Sequence, residues 1–283
     1  MLYEFAIGDA YGAGFEMAPA EFVVTYNNPE LGYVKHPTHN IKPGAYTDDT
    51  QMSLGLAEWL LSKELKTSVQ LARSFVSAFK RDPREGYAAF FYDLLCKVEN
   101  GTQMLQQIVP GSKRSGGAMR ATPCGLCKTL EEAINLAMFQ ASLTHATQSG
   151  MASAAAVAAL VWYCRNTKKP NLAKLPTFLQ KHLPQVDWKA PVQTTIPNDG
   201  VQVVLAVLQV LSDSASMEEV LKNSVAFTGD VDTVAAIAMA VASFCHSIQQ
   251  DIPEVLVDGI EDGAFGSAYL KKLDRDLEKA FPV

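Results

Sequence analysis

The 283-residue chain is poor in cysteine, in net positive charge and in any stretch that alternates apolar with polar residues. Its five cysteines, Cys96, Cys124, Cys127, Cys164 and Cys245, are odd in number and widely spaced. That usage points away from a secreted disulfide scaffold and towards reduced thiols in the cytoplasm. No basic region precedes an apolar run at Met1-Leu2-Tyr3-Glu4-Phe5, so no secretory signal is expected. The longest apolar stretch, Met151 to Cys164, is broken by Ser153 and is short for a membrane span. It reads as a buried helix, and no membrane association is expected. A net charge of −6 argues against binding nucleic acid or anionic membrane by bulk charge. No internal repeat of fixed period and no low-complexity linker marks a domain boundary. The expectation is one all-α domain over residues 1–283, a compact helical bundle. The sequence does not set its oligomeric state; a monomer is the simplest expectation.

What the chain has is helical periodicity. A helix from Leu2 runs into the small-residue stretch Gly8 to Glu16, where close helix or ligand approach is allowed. Residues 18–45, with Pro19, Pro29, Pro37 and Pro43, read as a long loop. Helices are predicted near 47–64, 67–81, 86–99, 130–142, 145–166 and 171–182, then near 200–212, 216–226, 231–249, 252–262 and 264–280. Residues 109–117 form a Gly- and Ser-rich loop, and 184–199 an irregular connection.

Two stretches look like the same device. Thr47-Asp48-Asp49-Thr50 precedes an apolar helical face of Met52, Leu56, Trp59 and Leu60. Asp230-Val231-Asp232-Thr233 precedes one of Val234, Ile237, Val241 and Phe244. A single such motif is most often an N-cap, because Thr and Asp oxygens accept from free N–H groups at the positive end of the helix. Two matched copies raise a second reading. Should the two helix starts meet, four carboxylates and two hydroxyls converge and repel one another unless cations sit among them. Hard oxygen ligands of this kind suit magnesium, calcium or manganese.

The other motifs carry less alone. Ser115-Gly116-Gly117, near Lys113, Arg114 and Arg120, could wrap backbone N–H groups around a phosphate, or simply turn the chain into a helix. Cys124-x-x-Cys127 lacks both a second ligand pair for zinc and a βαβ context for redox work. His36 and His39 lack the spacing of a helix-borne metal pair. His145 follows Thr144 at a helix start, where capping competes with ligand contact. Glu16 is either a surface carboxylate or an acid–base group beside a metal cluster.

Taken together, these motifs resemble the ADP-ribosylglycohydrolase family, which includes the enzyme that removes ADP-ribose from dinitrogenase reductase. The resemblance runs in order through Ile7-Gly8-Asp9-Ala10 to Glu16, Tyr46 to Met52, Ser115 to Arg120 with Pro123 and Leu126, Thr144-His145, and Gly229 to Ile237. It implies an orthogonal all-α bundle with two magnesium ions, for which manganese could substitute. The implied metal ligands are Thr47, Asp48, Asp49, Asp230, Asp232 and Thr233. Glu16, Asp48 and Asp49 would be catalytic. Ser115, Gly116, Gly117, Ala118 and Met119 would hold the diphosphate and proximal ribose, and His145 the distal part of ADP-ribose.

The implied activity is hydrolysis of the bond between ADP-ribose and a modified acceptor, chiefly a protein side chain such as arginine or serine. The alternatives are a catalytically silent module that binds ADP-ribose or a partner, and a hydrolase of a free derivative such as O-acetyl-ADP-ribose. Three places depart from the family pattern: Ser115 replaces a common asparagine, Val231 a frequent threonine, and the stretch Ala238-Met239-Ala240-Val241-Ala242 the usual glycines.

Overall fold

The computed structural model describes residues 1–282. Its helices are α1 (Leu2–Ala13), α2 (Ala20–Tyr26), α3 (Asp48–Leu61), α4 (Ser68–Arg81) and α5 (Ala89–Lys97). Then come α6 (Gly101–Gln107), α7 (Gly116–Met119), α8 (Leu130–Ser142), α9 (Gln148–Asn166) and α10 (Leu175–His182). The last are α11 (Gly200–Asp213), α12 (Met217–Val225), α13 (Val231–Ala242), α14 (Glu254–Gly259) and α15 (Ser267–Ala280). No sheet forms among the described residues; extended pairing is limited to isolated bridges such as Ile196 with Gly229 and Ser216 with Gln249. No described helix is long and apolar enough to cross a membrane.

The centre of the fold is the pair α1 and α13. Every residue of α13 is buried, as expected of a helix that is apolar all round. The pair packs at backbone distance because α1 carries Gly8 and Gly12 on the shared face. A Cβ on Gly8 would lie 2.5 Å from the Ala235 carbonyl oxygen. Alanine-rich α9 packs on the other side of the core against α7, α8 and α11. Amphipathic α15 lays Leu270, Leu273 and Leu277 towards α1 and α3.

Most elements match the periodicity, and the differences have physical causes. The long loop expected at 18–45 contains α2 and a 3-10 turn at Pro29–Leu31. Helix α2 buries only Val23, so it leaves almost no apolar stripe to read. Helix α6 was not expected either; it is short and is set by a side-chain cap from Asn100 to the Gln103 N–H. The helix expected at 231–249 stops at Ala242. Beyond it the main chain at Gln249 pairs instead with Ala215 and Met217. The Gly- and Ser-rich loop at 109–117 closes into the single turn of α7. Ala238 to Ala242, where glycines were expected, are fully buried in the core and are not part of the cavity described next.

Candidate functional site

Helix α1 holds the start of α3 through Asp9. This fully buried carboxylate accepts from the Thr47 N–H at 3.0 and 3.1 Å and the Thr47 hydroxyl at 2.8 Å. It also accepts from the Thr50 N–H at 2.9 Å and the Thr50 hydroxyl at 2.5 Å. Asp9 therefore satisfies N–H groups that the first turn of α3 leaves free. The Thr47 hydroxyl gives its proton to Asp9 and accepts from the Asp49 N–H at 3.4 Å. It faces α1 and is not part of the cavity wall that Asp48 and Asp49 reach.

A second segment backs Asp48. Its N–H donates to the Glu85 carbonyl at 3.0 Å. Gly86 follows at φ 102°, and a Cβ there would lie 2.2 Å from Asp48 Oδ1. Tyr87 donates to Gln51 Oε1 at 2.7 Å and ties the same segment to α3.

The start of α13 is bent into place by main-chain pairing. Asp230 N–H donates to the Ile196 carbonyl at 2.9 Å, and Ile196 N–H to the Thr228 carbonyl at 3.0 Å. Met17 N–H donates to the Gly229 carbonyl at 2.9 Å, which brings Glu16 beside Asp230. Met17 and Thr228 both have positive φ, 53° and 65°, which costs non-glycine residues energy. The strain thus flanks the two acidic residues that must meet.

Glu16, Asp230 and Asp232 each bring a carboxylate oxygen within 4.8 Å of the others. At an effective dielectric of about 20, each ionised pair at that range repels by roughly 3 kcal/mol. Thr233 Oγ1 relieves one oxygen by donating to Asp230 Oδ1 at 2.8 Å. Asp49 Oδ2, Asp230 Oδ2 and Asp232 Oδ1 are buried without a hydrogen-bond partner. Burial, then Asp230 and Asp9, push the Glu16 carboxyl up to about 7. Burial raises Asp48, Asp49 and Asp232 well above the usual carboxylate range, with neighbouring carboxylates adding to it. Buried, unpartnered, mutually repelling oxygens are a donor set that fits a hard divalent cation. Glu16, placed among acid–base candidates by its sequence context, is therefore one of the three groups closest to holding a metal.

These groups floor a cavity of about 370 Å³. Of the residues singled out in the sequence, Glu16, Asp48, Asp49, Ser115, Gly116, Met119, His145, Asp230, Asp232 and Thr233 line it. Gly117 and Ala118 sit behind the wall with Thr47, and Ala118 is fully buried. Ser115 heads α7 and is held by Asn198 Oδ1, which accepts from its hydroxyl at 3.0 Å. Phe90, Phe91, Ile108 and Val109 give the cavity an apolar side. A second hollow of about 310 Å³ lies behind Glu16, bordered by His39, Asn40, Ile41 and Tyr87. There His36 Nδ1 accepts from the N–H groups of Thr38 and His39, so Nε2–H donates to the Glu16 carbonyl at 2.6 Å.

The sequence gives no site role to Asp9, Thr144, Gly86 or Asn198; Asp9 and Thr144 lie within stretches of the family resemblance, whereas Gly86 and Asn198 lie in no motif. Arg120 was read as a phosphate helper beside the Gly pair. It is fully buried in the cavity wall and bonded to Gln140 and Thr144.

Buried carboxylate oxygens beside a cavity with a glycine turn on its wall fit a hard cation and a polar ligand. The chain matches the family model for ADP-ribosylglycohydrolase over residues 1–282 and belongs to that family. It is 35% identical to the ADP-ribosylhydrolase ARH3 of Mus musculus over 113 residues, 37% of this chain and 30% of that protein. The Homo sapiens ARH3 is 35% identical over 113 residues, covering 37% of this chain and 31% of that protein. These matches span less than a third of the length of the curated relatives. A solved structure described as an ADP-ribosylglycohydrolase-related protein complex shares the all-α fold. Its TM-score is 0.74 at 23% identity, over 99% of this chain and 95% of that one.

Proposed function

We propose that this chain, acting as one domain, hydrolyses the glycosidic bond between ADP-ribose and a modified acceptor, a protein side chain such as arginine or serine. The observation that carries the reading is the set of buried, unpartnered carboxylate oxygens from the starts of α3 and α13, gathered at one end of a ligand-sized cavity. The family name and the ARH3 similarity support the substrate class.

In this reading Asp48, Asp49, Asp230, Asp232 and Thr233, with Thr47 behind them, hold two magnesium ions, for which manganese would substitute. Bound there, such ions supply charge compensation and Lewis acidity to the ribose hydroxyls. Ser115, Gly116, Gly117, Ala118 and Met119 form the turn that takes the diphosphate and proximal ribose, and His145 meets the distal part. Glu16, a carboxylate on the cavity wall beside Asp230 and Asp232, is placed to exchange a proton with water held there. As the anomeric carbon opens towards an oxocarbenium-like state, water adds its oxygen there. One water proton passes to Glu16, and the departing acceptor takes up that proton as the glycosidic bond breaks, so water is split between ADP-ribose and the acceptor. Asp48 and Asp49 orient that water.

The test uses purified protein with arginine-linked, serine-linked and O-acetyl ADP-ribose substrates, each with magnesium and with EDTA. Metal-dependent release from a protein-linked substrate is expected. Release from O-acetyl-ADP-ribose alone would replace the acceptor. Binding of ADP-ribose without release from any substrate would replace the enzyme by a binding module.

A further inference from the structure

Arg120 is a fully buried guanidinium with no carboxylate partner among the described residues. It lies over the Phe75 ring at 4.6 Å and reaches towards the cavity by two arms. One runs through Gln140: Arg120 Nε donates to Gln140 Oε1 at 2.7 Å, and Gln140 Nε2 donates to the Gly117 carbonyl at 2.8 Å. The other runs through Thr144, whose Oγ1 accepts from Arg120 Nη2 at 2.6 Å and lies 2.7 Å from His145 Nδ1.

A guanidinium only donates, while a hydroxyl has one proton and two lone pairs. Thr144 Oγ1 accepts from Arg120, and among the described residues His145 Nδ1 is the one protein group that can take its proton. A protonated Nδ1 would leave that buried hydroxyl proton without a protein acceptor, so the arrangement that pairs every donor has Thr144 donating to a bare Nδ1. The ring proton sits on Nε2, beside Gly116 on the cavity wall, where a Cβ on Gly116 would come within 3.2 Å of Nε2. We infer that Arg120 and Thr144 are positioning residues that hold His145 as the neutral Nε2–H tautomer, so that the ring donates one hydrogen bond from the cavity wall to an acceptor oxygen of an ADP-ribose-like ligand. The role of that bond rests on the function proposed above; the tautomer does not. Burial and the Arg120 charge also push His145 down to about 3, so the ring stays neutral at physiological pH. An Nε2–H donor selects an acceptor atom on the ligand, whereas the Nδ1–H tautomer would present a bare Nε2 and select a donor.

The experiment reads the ring directly. Long-range proton–nitrogen spectra of the ¹⁵N-labelled full chain at pH 7 report which imidazole nitrogen carries the proton, without ligand. Calorimetry with ADP-ribose follows on the same samples. The parent His145 should show the Nε2–H pattern. Thr144→Val removes the donor to Nδ1; it should give mixed tautomers and roughly tenfold weaker ADP-ribose binding, the worth of one ordered hydrogen bond. Thr144→Ser should restore both. A parent ring protonated at Nδ1 overturns the inference, and that reading stands even should Thr144→Val fail to fold. So does a folded Thr144→Val that keeps the parent's spectrum and affinity. A parent in the Nε2–H form that does not bind ADP-ribose overturns the ligand role together with the functional reading, while leaving the hydrogen-bond chain in place.

Discussion

Gly12 of α1 and Asp232 of α13 meet backbone to backbone, so closely that a Cβ on Gly12 would lie 2.3 Å from Asp232 Cα. No rotamer change relieves such a contact, because the opposing atoms are main chain. Gly12→Ala should part the two helices, destabilise the fold by about 1–3 kcal/mol and move Asp232 away from Glu16. A melting scan should show a drop of several degrees, and magnesium should bind more weakly by calorimetry. Gly111→Ala is the control, since its Cβ meets nothing within 4 Å. Equal melting temperatures for the two variants would remove the packing argument.

Asp9→Asn sets two effects against each other. It removes a charge from an acidic cluster, which favours the fold. It also leaves part of the Thr47 and Thr50 donor set without an acceptor, because one carboxylate oxygen becomes an NH₂ group facing N–H groups. The lost acceptors dominate, since each buried unsatisfied donor costs about 1–3 kcal/mol. Lower stability and weaker magnesium binding are expected from denaturant titration and calorimetry. A more stable variant would mean that charge repulsion governs Asp9.

Stability should depend on pH in an unusual direction when cations are removed. Glu16 has a folded-state pKa raised from 4.5 to about 7, and Asp48, Asp49 and Asp232 are raised as well. Between 4.5 and 7 the folded Glu16 therefore holds a proton that the unfolded chain has released. Its stabilising contribution is fully present below 4.5 and is lost as pH rises through about 7. In EDTA the melting temperature should rise on acidification from pH 7.5 to 5, and magnesium should flatten that slope. A metal-free melting temperature that falls over the same range contradicts the raised carboxylates.

Asp232→Asn separates stability from function. It takes one charge from a set within 4.8 Å of Glu16 and Asp230. The metal-free protein should melt no lower than the parent, while metal-dependent stabilisation and release of ADP-ribose fall at least a hundredfold. Asp48→Asn should behave alike in the release assay. Undiminished turnover in both would sink the proposed site.

The sequence by itself determined the helix class, most helix spans and the local form of the two acidic motifs. Those signals are short-range: apolar spacing along one chain, and Thr or Asp oxygens that cap the next turn. They were enough to name Asp48, Asp49, Asp230, Asp232 and Thr233, which do share one cavity. Only the tertiary structure decided that the Thr47 hydroxyl turns to Asp9, 38 residues away. It also decided that Glu16 joins the acidic triad through Met17 and Gly229, and that Ser115 leans on Asn198, 83 residues on. Arg120 is the sharpest case. As a residue it reads as a phosphate clamp, yet packing over Phe75 and bonding to Thr144 make it the fixed point behind His145. A side chain's chemistry is set by its type, but the direction of its hydrogen bonds depends on partners that only folding brings within 3 Å or so.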